Sequence, residues 1–303
     1  MYEEIASNKR KSVLLVVGAF FFLGLIGFAV GYLFFNGGAW GLVIALAIAG
    51  GMSFSSYFYG DRMVLAATGA RSVTPDEEPR LHNIVEGLAI AAGLPKPAVY
   101  VVNEQAPNAF ATGRDPEHAS IAVTQGLLQI MDRVELEGVI GHEMSHVKDR
   151  DILLGTIVAT LVGAAVLLSE FFMRSWFWGG GRKSGNDGDG GGGAIQLAIF
   201  ALGFALLILA PLAGQIIKLS VSRNREYLAD AEGALLTRYP PGLASALKKI
   251  AGAPTAMRSA NNATAHLWLS QPSRVEGDGT STMERLFSTH PPIQERIRRL
   301  QDM

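Results

Sequence analysis

The sequence predicts a mainly α membrane protein: four transmembrane helices joined to a soluble α+β part with a small sheet. Three observations carry this. Hydrophobic residues reach 49% against only 17% charged, and mean hydropathy is positive at +0.25. The apolar residues gather in four blocks, each near the roughly 20 residues needed to cross a bilayer. Between and after those blocks lie polar segments with short β-rich runs and amphipathic helical spacing.

The first block runs from Val13 to Phe35, interrupted only by glycines, which membrane helices tolerate. It exceeds the roughly 7–15 apolar residues of a cleaved signal peptide, and a second block follows at once, so it is expected to stay. Asn36-Gly37-Gly38-Ala39 links the two as a tight hairpin. The second block spans Trp40 to Tyr59 and closes at Asp61-Arg62; the third spans Ile152 to Met173 and the fourth Ala194 to Ile217. Lys9, Arg10 and Lys11 precede the first, Lys148 and Arg150 the third, and Lys218, Arg223 and Arg225 follow the fourth. That bias places both termini in the cytoplasm. The Gly-rich stretch 174–193 becomes a flexible loop on the far side, with Trp176 and Trp178 at the interface.

Four regions follow. Residues 1–60 are an N-terminal tail and transmembrane hairpin, and 61–151 a first soluble segment. Residues 152–217 are a second hairpin with the Gly-rich loop, and 218–303 a second soluble segment, mostly helical. Within the last, the polar stretch 258–282 suggests a mobile flap.

In the first soluble segment, Thr74-Pro75-Asp76-Glu77 reads as a helix start with Thr74 as cap and Glu77 at the capping-box position. Leu81, Ile84, Val85 and Leu88 continue it at helical spacing, and Gly93-Leu94-Pro95 stops it. Residues 98–102 and 120–124 read as strands, with a further strand or turn over 108–113. Asp132 and Glu135 form a second capping box ahead of an amphipathic helix. Gly138 and Gly141 leave that helix slim, which predicts close approach by another backbone.

This helix carries His142-Glu143-Met144-Ser145-His146. Imidazoles four residues apart stack on one helix face and can share a metal ion, while the glutamate between them can hold a water. These are the parts of a zinc peptidase. The chain has no cysteine, which excludes a thiol nucleophile, a disulfide framework and a Cys-based zinc site. A net charge of −1 offers no field for nucleic acid. A catalytic zinc usually takes three protein ligands. Glu226 is a candidate third ligand, and Asp230, four residues on, a candidate acceptor for a ligand ring N–H. Alone, such a pair is more often a solvated helix face. Arg133, Glu135, Glu137, Lys148 and Asp149 flank the motif, which argues against a site inside the bilayer.

His142 to His146, Asn224 to Asp230, Ser288-Thr289-His290-Pro291-Pro292 and Asn108 to Gly113, with four apolar blocks in the same order, resemble the HtpX-like zinc metalloproteases. These are membrane relatives of the CAAX prenyl proteases in the gluzincin group. The resemblance implies a cytoplasmic α+β zincin-like protease domain with one catalytic zinc ion on His142, His146 and Glu226. It makes Glu143 the catalytic carboxylate and sets Asp230 behind a ligand. It further implies an integral endopeptidase of the bacterial inner membrane. Its substrates would be polypeptides, chiefly misfolded or damaged membrane proteins, and it would have the lipid bilayer but no nucleic acid as partner. His290, in its Thr-His-Pro-Pro setting, is a candidate oxyanion donor, with a structural turn histidine as the competing reading. The strand with Ile121 and Val123, and Asn108 beside it, are candidates for pairing with an extended substrate. His82, His118 and His266 read as surface or helix-face residues. Alternatives are a CAAX prenyl-type protease and a non-catalytic zinc-binding scaffold. On a continuous helix, the nine residues from His142 to Asp151 set the metal roughly 14 Å from the third span, and Ile217 to Glu226 gives the same figure.

Overall fold

The computed structural model describes residues 38–160, 223–253, 264–270 and 291–303, together with Met257 and scattered positions before residue 38. Most of the first block, the third beyond residue 160, the fourth, the loop 174–193 and the stretches 258–263 and 271–290 lie outside the described residues.

Among the described residues, one helix is long and apolar enough to cross a membrane. It is α1, Gly38–Ala67, whose apolar window covers Leu42–Ala67. It continues past the Asp61-Arg62 stop expected from charge. Most of its large apolar side chains are exposed, Trp40 at 73% and Ile48 at 54% among them, as a surface meant for lipid would be. The expected four spans reduce to this one within the described residues.

After α1 the chain forms β1 (Ala70–Ser72), α2 (Pro79–Ala92), β2 (Ala98–Val102), β3 (Ala109–Gly113) and β4 (Ala119–Thr124). Helices α3 (Gln125–Ile130) and α4 (Arg133–Lys148) follow, then α5 (Asp151–Thr160). Past the undescribed stretch come α6 (Arg223–Thr237), α7 (Pro240–Ala251) and α8 (Ile293–Gln301). The molecule is mostly helical around one small mixed sheet of order β1-β2-β4-β3. β2 and β4 are parallel, while β1 and β3 join antiparallel at the two edges.

Alternation along the strands divides the sheet between two cores. Val99, Val101, Ala109, Ala111, Ile121 and Val123 face α2, α4 and α7 in the main core. Val102, Phe110 and Ala122 face the other way, against Val64 and Leu65 at the end of α1 and against Trp268. The sheet is therefore buried on both faces, and α1 is fastened to its back.

The start of α2 differs from expectation. Thr74 and Glu77 do form reciprocal bonds (Thr74 N–H to Glu77 Oε2 2.8 Å, Glu77 N–H to Thr74 Oγ1 3.3 Å). They close only a turn. Proline keeps the residue before it out of the helical region, and Glu78 sits at φ −131°, ψ 66°, so α2 starts afresh at Pro79. It ends at Gly93 in the left-handed region, φ 67°, the stop expected there. The strands at 98–102 and 120–124 and the capping box of α4 form as expected. The three-residue β1 and the short α3 carry too little periodicity to be read in advance.

Candidate metal centre

Helix α4 presents the motif from the middle of the fold. Its start is held by the Asp132–Glu135 box (2.9 Å in both directions), and Glu135 also accepts from Ser245 and Lys249 on α7 (2.7 and 2.5 Å). The two glycines admit neighbouring backbones. A Cβ on Gly138 would stand 2.6 Å from Leu243 N, and one on Gly141 3.1 Å from Gly233 O. Gly233 on α6 returns the contact, since its Cβ would stand 2.7 Å from His142 N. Helices α4 and α6 thus meet backbone to backbone at the turn that carries the first histidine.

That contact sets Glu226 opposite the histidines. The candidate ligand atoms of His142, His146 and Glu226 lie within 4.8 Å of one another. The two Nε2 atoms are 3.2 Å apart, and Glu226 reaches them at 3.9 Å (Oε2 to His142) and 3.7 Å (Oε1 to His146). Nitrogens about 2.0–2.1 Å from one tetrahedral zinc would stand roughly 3.3 Å apart.

The ring tautomers make the same point. His142 Nδ1 is 2.9 Å from Asp230 Oδ1, and His146 Nδ1 is 3.0 Å from Asp151 Oδ2. Each neutral ring therefore donates from Nδ1 to a carboxylate and turns the Nε2 lone pair inward. Two lone pairs and a carboxylate converging in a buried space repel one another until a cation joins them. Burial holds His142 in its neutral form, pushing its pKa down to about 4. Burial opposes charge on His146 as well, but Asp151 and then Glu226 overcome it and raise that ring to about 9. A bound metal takes the place of that proton.

Three supporting residues were not foreseen. Arg296 on α8, only 1% exposed, forks onto Asp230 (Nε to Oδ2 2.8 Å, Nη2 to Oδ1 2.7 Å) and donates from Nη1 to Leu269 O at 3.1 Å. Asp151 supports His146 and is paired with Arg225 at 2.6 Å. The continuous helix expected from the motif into the third span does not form. Helix α4 ends at Lys148, Arg150 takes φ 59°, and the resulting bend returns Asp151 to His146. The roughly 14 Å estimate from His142 to the third span lapses with it, while the stretch before Arg223 lies outside the described residues. The signal for Asp151 was its five-residue offset from His146, which only a broken helix brings round. For Arg296 it was the amphipathic C-terminal helix.

Glu143 is 2% exposed. Burial raises its carboxyl to about 7 against the opposing pull of His146 and of the nearby Ala111 backbone N–H. A cleft lined by Ala111, Ile152, Gly155, Leu267 and Leu269 opens onto Glu143 and the three metal-directed side chains.

Ile121 and Val123 do not reach this cleft. Both are fully buried, and β4 is paired on both edges, so it has no side left for a substrate. The edge beside the motif belongs to β3. Asn108 instead grips another part of the chain, with Nδ2 to Ser270 O at 2.6 Å and Oδ1 to Ser270 N at 3.0 Å. His266 lines the cleft and bonds Gly155 O at 3.2 Å, unlike the helix-face residue expected. His82 and His118 bond Val73 O and Asp115 away from the cleft. His290 lies outside the described residues.

Comparison with known proteins agrees with this geometry. Residues 75–303 match the model of peptidase family M48. The chain is 48% identical over 306 residues to a protease HtpX homolog of Caldanaerobacter subterraneus subsp. tengcongensis, covering 100% of this chain and 98% of that protein. It is 42% identical over 303 residues to one from Streptococcus uberis, covering 100% of both. Among solved structures, that of S. mikatae Ste24p is similar at 18% identity and TM-score 0.48, over 99% of this chain and 67% of that one.

Proposed function

Because the chain belongs to peptidase family M48 and is a membrane-associated metalloprotease, we propose that it is a zinc endopeptidase whose ion is held by His142, His146 and Glu226. The observation that carries this is the convergence of those three side chains with both histidine Nδ1 atoms already committed to carboxylates. When bound, zinc polarises the scissile carbonyl and makes a water acidic enough to give up its proton near neutral pH. Glu143 takes the proton from the attacking water and delivers it to the leaving amine. Asp230 and Asp151 hold the two rings in the tautomer that ligation requires. His290 is the candidate oxyanion donor.

The finer reading extends to place and substrate. The protease part comprises residues 61–151 and 218–303, set on two membrane hairpins with the site on the cytoplasmic face. It cleaves misfolded or damaged membrane proteins in quality control. The packing of α1 against the back of the active-site sheet supports a site held close to the bilayer. The test is proteolysis of a tagged, unfolded membrane protein by the purified chain and by Glu143→Gln, with zinc content measured in both. One zinc per chain in each, with cleavage by the wild type alone, is expected. Full activity in Glu143→Gln, or no zinc in either, ends the reading.

A further inference from the structure

Strand β3 is the sheet edge that faces the metal centre, and its outward hydrogen-bonding groups can be followed one at a time. In an antiparallel ladder, alternate residues turn both N–H and C=O toward the partner while those between turn both away. Asn108 O accepts from Thr124 N–H, which puts Asn108, Phe110 and Thr112 on the inward side, facing β4. Ala109, Ala111 and Gly113 therefore face out.

Both ends of this edge are occupied. Ala109 O accepts from Leu269 N–H at 2.8 Å, and Ala109 N–H donates to the Asn108 side chain at 3.1 Å. Residues 267–270 run antiparallel to β3 there. Asn108 clasps Ser270, Arg296 holds Leu269 O, and Trp268, fully buried, packs edge-on against Phe110 at 4.7 Å. A buried indole with four polar bonds around it makes this a wall, not a flap. At the other end the Thr156 hydroxyl on α5 accepts from Gly113 N–H at 3.1 Å and stands 3.3 Å from Gly113 O and 2.8 Å from the Thr112 hydroxyl. Between them stands Ala111. Its N–H is directed toward the Glu143 carboxyl, and its C=O has no hydrogen-bond partner among the described residues.

We propose that Thr156 and the segment Leu269–Ser270 are specificity determinants that confine main-chain recognition to the single rung at Ala111. The inference rests on the peptidase reading and deepens it. A substrate lying antiparallel to β3 meets Leu269 one rung toward its C-terminus and Thr156 one rung toward its N-terminus. Long β-strand pairing is closed to it. The enzyme then selects any polypeptide stretch loose enough to offer one extended residue at the cleft, with little dependence on flanking length.

A length series tests this without altering the protein. Capped peptides of about four to twelve residues sharing one scissile bond are assayed with the zinc-loaded full-length chain in detergent. On an open edge each further rung would raise kcat/KM about fivefold. The expected result is a plateau once about two residues flank the bond on each side, with all longer peptides within about threefold. Thr156→Ala removes both the hydroxyl that holds Gly113 and Thr112 and the branched carbon that covers them. It should give the longer peptides extended toward Gly113 about a fivefold gain, chiefly in KM, and leave the shortest peptide unchanged. A steady rise in kcat/KM with length in the wild type overturns the proposal while leaving the peptidase reading intact. So does a Thr156→Ala protein that treats long and short peptides alike. Absence of cleavage at every length removes the peptidase reading and this inference together.

Discussion

Arg296 and Asp230 form a two-point ion pair directly behind a candidate metal ligand, with bonds of 2.8 and 2.7 Å between groups that are almost wholly buried. Asp230 in turn takes the Nδ1 proton of His142 at 2.9 Å. Burial alone would raise the Asp230 carboxyl, yet Arg296 and the His142 bond bring it down to about 2. A depressed carboxylate stabilises the fold above its ordinary pKa of 3.8 and loses that contribution as pH falls toward 2. Replacing Arg296 by Leu strands a buried carboxylate, a loss of about 3–5 kcal/mol. Thermal unfolding should show it. The acid-unfolding midpoint should move to higher pH, and zinc retention should fall. Arg296→Lys keeps the charge without the fork and should lie between.

Asp151 does for His146 what Asp230 does for His142. Asp151→Asn leaves an acceptor for the ring N–H but removes its charge. Zinc affinity should fall about 10–100-fold, read by chelator competition. The metal-free His146 ring sits near 9, so ligation displaces a proton and apparent affinity should drop about tenfold per pH unit below that value. With Asp151 neutral, the ring's pKa falls and the steep region should begin at lower pH. An unchanged pH profile in Asp151→Asn would separate Asp151 from the ligand.

Why some of this was legible in the sequence and some was not follows from range. The Asp132–Glu135 box, the His142–His146 spacing and the Gly93 stop depend on neighbours within four residues, and each formed as read. Gly138 and Gly141 announced a close approach, though not that Leu243 and Gly233 would make it. Arg296 stands 66 residues from Asp230, and no local pattern joins them. That strand β4 lies inside the sheet, not at its edge, is hidden for a related reason. Ile121 and Val123 sit in a run that reads equally well as an edge or an interior strand, and only the pairing of β2 and β3 on either side decides. Arg150 was the subtlest, a single left-handed residue that breaks a helix the apolar pattern would have continued.

The contact between α4 and α6 gives a prediction separate from charge. Gly233→Ala puts a methyl 2.7 Å from His142 N and 2.9 Å from Gly141 C, both backbone atoms that cannot step aside. The helices must part, at about 1–3 kcal/mol as for other overpacked sites. Since α6 also carries Glu226, the three ligand atoms should separate as well. Zinc content should fall in Gly233→Ala along with the unfolding temperature. In Gly252→Ala, where an added Cβ meets nothing nearer than 3.6 Å, neither should change appreciably.

On the proposed mechanism, Glu143 sets the pH dependence of cleavage. Burial first, and Glu226 after it, hold the metal-free carboxyl near 7 in spite of His146 and the Ala111 N–H. A general base works only when ionised, so activity is present above this pKa and lost as pH falls through it. A bound zinc favours the ionised form and moves the value down. The acid limb of kcat/KM should therefore lie at or below pH 7, falling about tenfold per unit beneath its midpoint. Glu143→Gln should lower the rate by about 10²–10⁴ and flatten what remains across the same interval, measured at saturating zinc so that loss of metal is not mistaken for loss of base. An acid limb that survives in Glu143→Gln would assign the titration to the ligand histidines and remove Glu143 from the proton path.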